Sequence, residues 1–253
     1  MKVLKTCGVI LMAALFVFGA AVFVYPHLHG MSVDRELKQE AQSFIEIQRS
    51  EQQKSKPTPE TPSEEMPELP PENHTELWKA MQEYNARIWW EKQEGLCDPW
   101  SYTQPSFTLG DYGLENEVFG VISIPKLNLE MPLYLGATAQ HMADGAAQLS
   151  QTSLPIGGEN TNCVIAGHRG WYGASYFRYV TELQPGDEVI ITNLWESLTY
   201  TVTDTRIIMP NEVESILIQE GRDMVTLLTC HPYASGGRLR FLVFCDRAMD
   251  TNK

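Results

Sequence analysis

Cys230, His168 and Arg238 are the residues of this sequence whose types and placement suit covalent chemistry. Cys230 ends the apolar run "MVTLLTC", and a Gly-rich turn separates it from Arg238. His168 follows the apolar run "CVIAG". A catalytic cysteine needs a base or cation that holds its thiolate, and acyl transfer also needs a group that stabilises an oxyanion. If three strand ends meet at one rim, the sequence provides one residue for each task.

Each of these residues has a structural alternative. A lone cysteine is more often an inert packing thiol, and a histidine in a loop is often a surface residue. His231 is adjacent to Cys230 but points to the opposite face if the strand continues that far. Arg240 shares a strand face with Arg238, and Arg169 follows the histidine, so both are further candidates for the cation. Arg238 is favoured because it begins the predicted strand after the turn that follows Cys230, so a β-hairpin could return its guanidinium to the thiol. Arg169 is expected to cap a loop.

The elements that must position these residues are short and rich in β-formers from Val118 onward. The runs are "VFGVISI", "MPLYLG", "NCVIAG", "DEVIITN", "LTYTVTDTRII", "MVTLLTC" and "RLRFLVFC". Gly, Pro, Asn and Asp separate them, and "PNEVESILIQEG" is predicted to contain a short helix. Seven or eight strands at this spacing predict an antiparallel-dominated barrel or sandwich.

The N-terminal segment predicts a membrane anchor. Residues 7–25 contain no charge and no proline, and at about 1.5 Å per residue such a helix crosses roughly 30 Å of hydrocarbon. Lys2 and Lys5 precede it and an acidic excess follows, which predicts a cytoplasmic N-terminus and an extracellular catalytic domain. A cleaved signal peptide is the alternative, but the run is long and no clear cleavage site follows it.

The organisation of the whole chain follows from these patterns. A short amphipathic helix near the bilayer is predicted from Leu37, Ala41 and Phe44, and a second helix from Thr75 to a stop at Gly95. The predicted segments are a cytoplasmic tail (1–6), a transmembrane anchor (7–25), a juxtamembrane helix (32–50), a Pro/Glu-rich linker (51–73), an N-terminal helix and lid (74–111) and a catalytic β-barrel (112–247).

Composition excludes several classes of partner. The formal net charge of -13 argues against nucleic acid, because a phosphate-binding surface needs clustered Lys and Arg. The five cysteines form no CxxC pair and no zinc spacing, so no metal is expected, and no cofactor motif is found. Cys163 and Cys245 lie inside predicted strands and are expected to be buried packing thiols.

Several motifs together resemble the sortases, the cysteine transpeptidases anchored to the surface of Gram-positive bacteria. They are "TLLTC" with an arginine eight residues later, "AGHRG", "TSLPIGGEN", "FGVISIPKLNLEMPLYLG" and "LQPGDEVIITN". The resemblance spans most of Tyr84 to Asp246. It implies a mostly β fold, the eight-stranded sortase barrel with short helices, preceded by the transmembrane helix and a helical lid segment.

Asp98, Pro99 and Trp100, "DPW", resemble the lid of class C sortases, the pilin polymerases. The resemblance implies that Asp98 pairs with Arg238 and that Trp100 covers Cys230. Class C members usually carry a second, C-terminal membrane segment, whereas this sequence stops at Lys253 with one expected anchor, as class A and class B members do. The acceptor is therefore left open. Cys97 adjoins the lid, and a redox effect on lid position is one hypothesis for it.

The implied reaction is transpeptidation through a thioacyl enzyme. Cys230 would attack the Thr-Gly bond of an LPxTG-like sorting signal, His168 would be the general acid and then the base, and Arg238 would hold the substrate or its oxyanion. Expected partners are sorting-signal-bearing surface or pilin proteins as acyl donors, and a pilin lysine or a peptidoglycan amine as acceptor. The alternatives are a cell-wall cysteine hydrolase and a non-catalytic anchored adhesin or scaffold.

Overall fold

The computed structural model describes residues 2–54, 74–98, 100 and 107–248. Pro99 of the predicted lid and residues 55–73, most of the predicted linker, lie outside the described residues.

Eight strands form a closed barrel, which confirms the predicted fold. They are β1 Val118–Ile124, β2 Leu129–Leu135, β3 Ala146–Gln148, β4 Thr161–Ala166, β5 Glu188–Thr192, β6 Ser197–Ile208, β7 Asp223–His231 and β8 Leu239–Arg247. Their order around the barrel is β1-β2-β3-β4-β7-β8-β6-β5, and β5 pairs with β1 to close it. The predicted strands omitted only β3, "AAQ", which is too short and lacks the β-branched residues that mark a strand.

Two strand pairings in the barrel place the residues singled out above. β4 and β7 are parallel, with Ala166 opposite Leu228. β7 and β8 are antiparallel, with Cys230 opposite Arg240. All six residues of β4 are buried, as expected for a strand with parallel pairing and cover on both faces. The ends of β4 and β7 therefore reach the same rim of the barrel as the start of β8.

The N-terminal helix α1 runs without a break from Lys2 to Lys54 and contains Pro26. By length and composition, the part from Ile10 onward is long and apolar enough to cross a membrane. Further along, Leu37, Ala41 and Phe44 are buried in the barrel-associated core. The amphipathic face predicted over 32–50 thus packs on the barrel.

Polar contacts fix the same stretch of α1 to the turn between β1 and β2 and to the start of β2. Lys38 donates to Asn128 Oδ1 at 3.0 Å, and Gln42 donates to Glu130 Oε2 at 3.2 Å. The docked part of α1 therefore has both apolar and polar contacts with the barrel.

Helix α2 (Thr75–Trp90) presents one apolar face to the barrel. Its buried residues are Leu77, Met81, Tyr84, Asn85 and Ile88. The helix starts at the predicted Thr75 but ends at Trp90, before the predicted stop at Gly95. Lys92 and Gln93 both have positive φ angles, of 55° and 56°, which a continuing helix does not allow.

Gln93 anchors the turn that leads from α2 into the lid. Its side chain is buried, donates to Gln151 O at 3.0 Å and accepts from Ile218 N at 2.6 Å. Gly95 follows with φ +87°, a left-handed conformation that favours glycine. The lid thus starts from a point tied to two barrel loops.

Replacing Asn85 with alanine is expected to destabilise the contact between α2 and the barrel. Asn85 is buried, accepts from Leu154 N at 2.7 Å and donates to Leu154 O at 3.4 Å. Because the Asn85→Ala variant leaves a buried N–H unpaired, the free energy of unfolding should fall by about 2 kcal/mol. Urea unfolding of the full chain in detergent measures this, with Gln82→Ala on the exposed face of α2 as control. Equal losses in the two variants would contradict the assignment.

Candidate active site

Cys230 and His168 are brought to the same rim by the parallel pairing of β4 with β7. Both lie two residues beyond the paired Ala166 and Leu228, so they emerge side by side from neighbouring strands. The pairing continues past the strand ends, since Gly167 N donates to Leu228 O at 3.1 Å and the Thr229 hydroxyl donates to Gly167 O at 2.7 Å. The His168 side chain is buried and Cys230 is half-buried.

Arg240, and not the expected Arg238, is the arginine that faces Cys230. Arg240 lies opposite Cys230 across the β7–β8 pair, and its Nη1 is 3.7 Å from the Cys230 sulfur. Its side chain is buried, and Nη1 also donates to Gly237 O at 2.7 Å. Arg238 is exposed and precedes β8, which begins at Leu239. The alternation of strand faces therefore does not extend to Arg238, and the structure does not bring the expected Arg238 to Cys230.

Gly237 allows the turn between β7 and β8 to pass close to the thiol. A Cβ built on this glycine would lie 3.1 Å from the Cys230 sulfur and 3.3 Å from Arg240 Nη1. The backbone there also has φ +74°, which favours glycine. A side chain at this position would crowd the site.

The lid reaches the site through two adjacent contacts with Arg240. Asp98 Oδ1 accepts from Arg240 Nε at 2.6 Å, and Oδ2 accepts from Nη2 at 2.7 Å, a bidentate ion pair. The Trp100 ring lies over the same guanidinium, 4.5 Å from Cζ to ring centroid, and 6.1 Å from the His168 ring. The expected partner of Asp98, Arg238, is thus replaced by Arg240, and Trp100 packs against Arg240 and His168.

Burial keeps the thiol and the imidazole in their uncharged forms. It raises the pKa of Cys230, and the nearby Asp98 carboxylate raises it further, while Arg240 and Arg169 oppose both effects. Burial also lowers the pKa of His168 to about 4. At neutral pH, with the lid in place, Cys230 is a thiol and His168 is a neutral imidazole.

Arg169 ties the histidine loop to the end of β7. Its Nη1 lies 2.6 Å from His231 Nδ1 and donates to Cys230 O at 3.4 Å, while Nη2 donates to the Thr181 hydroxyl at 3.2 Å. These contacts join the loop after β4 to the end of β7 and to the short helical turn at Thr181. His231 is engaged with Arg169 at the same rim.

Trp171 and Tyr176 contact His168 and were not singled out from the sequence. The Trp171 ring stacks on the imidazole at 4.3 Å with an interplanar angle of 9°, and Tyr176 meets it edge-on at 6.1 Å. The aromatic run "GWYGASYF" directly after the histidine motif was the available pattern. Proximity in sequence alone did not indicate which ring faces His168.

The three other cysteines whose side chains the structure describes differ from Cys230 in their surroundings. Cys163 and Cys245 are buried within β4 and β8, and burial raises the pKa of both thiols. Cys97 is half-buried next to the lid, and its redox role stays a prediction.

The residues that form this barrel and its rim are similar to those of known proteins. The family model described as "Sortase domain" matches residues 122–248. Sortase C1 of Streptococcus agalactiae, solved in complex with MTSET, is 30% identical with a TM-score of 0.64, covering 72% of this chain and 93% of that one. Sortase C of Streptococcus pneumoniae is 33% identical with a TM-score of 0.62, covering 70% and 88%.

A curated relative, sortase D of Bacillus subtilis (strain 168), is 28% identical over 51% of this chain and 63% of its own length. The matched part spans between 47% and 63% of the length of the curated relatives. The family model covers half of the chain, and the streptococcal structures cover more than two thirds of it at 30% identity or above. This chain therefore belongs to the sortase family, and it is most like the class C sortases.

Proposed function

We propose that this chain is a membrane-anchored cysteine transpeptidase that joins a sorting-signal-bearing protein to an amine, most specifically a pilin lysine. The observation that carries the proposal is the bidentate pair between Asp98 and Arg240 beside Cys230. A carboxylate held by the arginine that faces the nucleophile occupies the place where a substrate carbonyl would bind. The lid then acts as a plug that a substrate must displace.

Cys230 supplies the nucleophile of the first step. Once a substrate has displaced the lid, the Cys230 thiol gives its proton to His168. The resulting thiolate attacks the carbonyl carbon of the threonine in an LPxTG-like signal, and the tetrahedral oxyanion accepts hydrogen bonds from Arg240. His168, protonated at this stage, gives its proton to the departing glycine nitrogen as the C–N bond breaks. The products are a thioester on Cys230 and a released C-terminal fragment.

The second step reverses the proton transfer. A lysine amine attacks the thioester carbon, and neutral His168 takes the proton that the amine loses. The C–S bond breaks, the new amide bond remains, and the thiolate is restored. Arg240 stabilises the oxyanion in both steps, the role that the sequence predicts for Arg238.

The lid supports the pilin-polymerising branch of the family. Asp98 and Trp100 reach the rim that carries Cys230, as expected of a class C lid, although their contacts are with Arg240 and His168 and not with the expected Arg238 and Cys230. The solved Streptococcus pneumoniae sortase C is described in terms of pilin substrate specificity. For this chain, helix α1 would hold the barrel on the outer face of the membrane, with the N-terminus in the cytoplasm.

The acceptor is tested by competition between amines and water. The full chain in detergent micelles is mixed with an LPxTG-type peptide and equal concentrations of a pilin-derived lysine peptide and a peptidoglycan-type amine. The proposal predicts an amide to the lysine peptide in excess over the other amide and over the hydrolysed acid. A dominant peptidoglycan-type amide would assign it to wall attachment, and a dominant free acid would assign it to a hydrolase. No product of any kind, from a folded chain with an intact thiol, would contradict the proposal.

A further inference from the structure

The loop that carries His168 is closed by its own backbone and by aromatic contacts. Trp171 and Ala174 exchange two backbone hydrogen bonds, at 3.1 and 2.9 Å, which makes a tight turn. Phe177 N then donates to His168 O at 2.9 Å, so the chain returns to the histidine. The turn thereby presents the Trp171 ring to the imidazole.

Helix α1 contacts this same turn from outside the barrel. Asp34 Oδ1 accepts from Ser175 N at 2.7 Å, and Asp34 Oδ2 accepts from the Ser175 hydroxyl at 3.0 Å. Ser175 directly follows Ala174, the residue that closes the turn with Trp171. One carboxylate therefore holds both the backbone and the side chain at the edge of the turn.

Two glycines allow the helix and the turn to touch. A Cβ built on Gly30 would lie 2.2 Å from the carbonyl group of Gly173, and a Cβ on Gly173 would lie 2.2 Å from Pro26 O. Gly173 also has φ +90°. Real Cβ atoms do not approach backbone so closely, so both positions require glycine for this contact. The contact is thus built into the sequence of both segments.

We infer that Asp34 is a positioning residue for His168, because it holds the turn at residues 171–175 so that Trp171 stays stacked on the imidazole. The inference rests on the proposed function for its kinetic consequences only. Asp34 touches no reacting atom and acts through Ser175 and Trp171. A segment that follows the predicted membrane anchor would in this way order the acid-base residue of the site.

The test compares Asp34→Ala, Asp34→Asn and the control Glu36→Ala in the full chain in detergent micelles. Glu36 lies on the same helix, is exposed and carries the same charge. Asp34→Ala is expected to lower kcat for amide formation about tenfold with KM changed less than twofold, since a displaced acid-base group loses reaction geometry and not binding. Asp34→Asn keeps one acceptor oxygen for Ser175 N and is expected to lose less. Glu36→Ala is expected to match the wild type.

A second readout does not depend on turnover. The His168 imidazole, followed by NMR after ¹³C labelling and assigned by its loss in His168→Gln, is expected to titrate at higher pH in Asp34→Ala because a loosened Trp171 admits water. Removing the Asp34 charge alone would lower that pKa, so a rise reports loss of cover. The other charged or titratable groups of the site are unchanged in these variants: Cys230 of β7, Arg240 of β8, Asp98 of the lid, and Arg169 and Tyr176 of the loop itself.

The outcomes separate this inference from the proposed function. If the wild type makes no amide but the His168 titration still moves in Asp34→Ala, the proposed function fails and the positioning role stands. If Asp34→Ala keeps the wild-type kcat and titration, the positioning role is overturned. Thermal unfolding of each variant identifies general loss of fold. In that case Ser175→Ala, which removes only the hydroxyl contact, should show smaller changes in kcat and in the His168 titration, in the same direction as Asp34→Ala.

Discussion

Asp98→Ala is expected to speed the alkylation of Cys230 by iodoacetamide on the order of tenfold at neutral pH, because the thiolate is the reacting form and the lid is held by the arginine beside it. Two effects act in the same direction. Loss of the bidentate pair with Arg240 frees the lid to open and lets water reach the thiol. Loss of the carboxylate also removes a negative charge that raises the pKa of Cys230, so the thiolate forms at lower pH.

The pH dependence of this labelling shows in which direction the Asp98 charge shifts the pKa of Cys230. Asp98→Ala should move the midpoint of the rate profile to lower pH, because burial then raises the pKa of Cys230 without help from the carboxylate, while Arg240 and Arg169 still lower it. Labelling must be assigned by peptide mass, because Cys97 adjoins the lid. Glu94→Ala removes an exposed carboxylate from the same segment and should leave the profile unchanged. An unaltered rate and midpoint in Asp98→Ala would mean that the lid does not control the thiol.

Arg240→Ala is expected to lower the rate of amide formation by about 10²–10³-fold, the usual effect of removing an oxyanion donor. Arg238→Ala should keep nearly wild-type turnover, since Arg238 is exposed and precedes β8. Arg240→Lys retains the charge but not the planar fork and should lie between them. Steady-state kinetics with an LPxTG-type peptide and a lysine amine measures all three.

Gating and chemistry must be separated in this comparison, because Arg240→Ala also releases Asp98. Each arginine variant is therefore also made in the Asp98→Ala background, where the lid no longer pairs with Arg240. There, Arg240→Ala should leave Cys230 open to alkylation while turnover stays low. If Arg238→Ala instead caused the larger loss, the strand register would not identify the functional arginine.

The choice between Arg238 and Arg240 shows what the sequence could not decide. Cys230 and the two arginines are separated by a turn whose length determines the pairing, and a change of two residues exchanges one arginine for the other. The structure pairs Cys230 with Arg240 because β8 begins only at Leu239. Sequence spacing identified the segment and the residue type that face Cys230, but not the register that decides which arginine does so.

Long-range packing was the second feature that sequence patterns left open. The apolar face at Leu37, Ala41 and Phe44 predicted an amphipathic helix but did not name the surface it covers. In the structure that surface is the barrel, and the same helix brings Asp34 to Ser175, 141 residues away in sequence. Strand positions were predicted closely, since their β-branched runs and turn residues are local properties.

The most direct test of the central claim is to trap the acyl enzyme. The Asp98→Ala chain is incubated with an LPxTG-type peptide without amine, quenched in acid and analysed by intact mass and peptide mapping. Chemistry at Cys230 predicts an adduct equal to the N-terminal acyl fragment on that residue, lost in Cys230→Ala, retained in Cys163→Ala and discharged to an amide when a lysine amine is added. An adduct that persists in Cys230→Ala, or no adduct on a folded chain that still alkylates at Cys230, would contradict it.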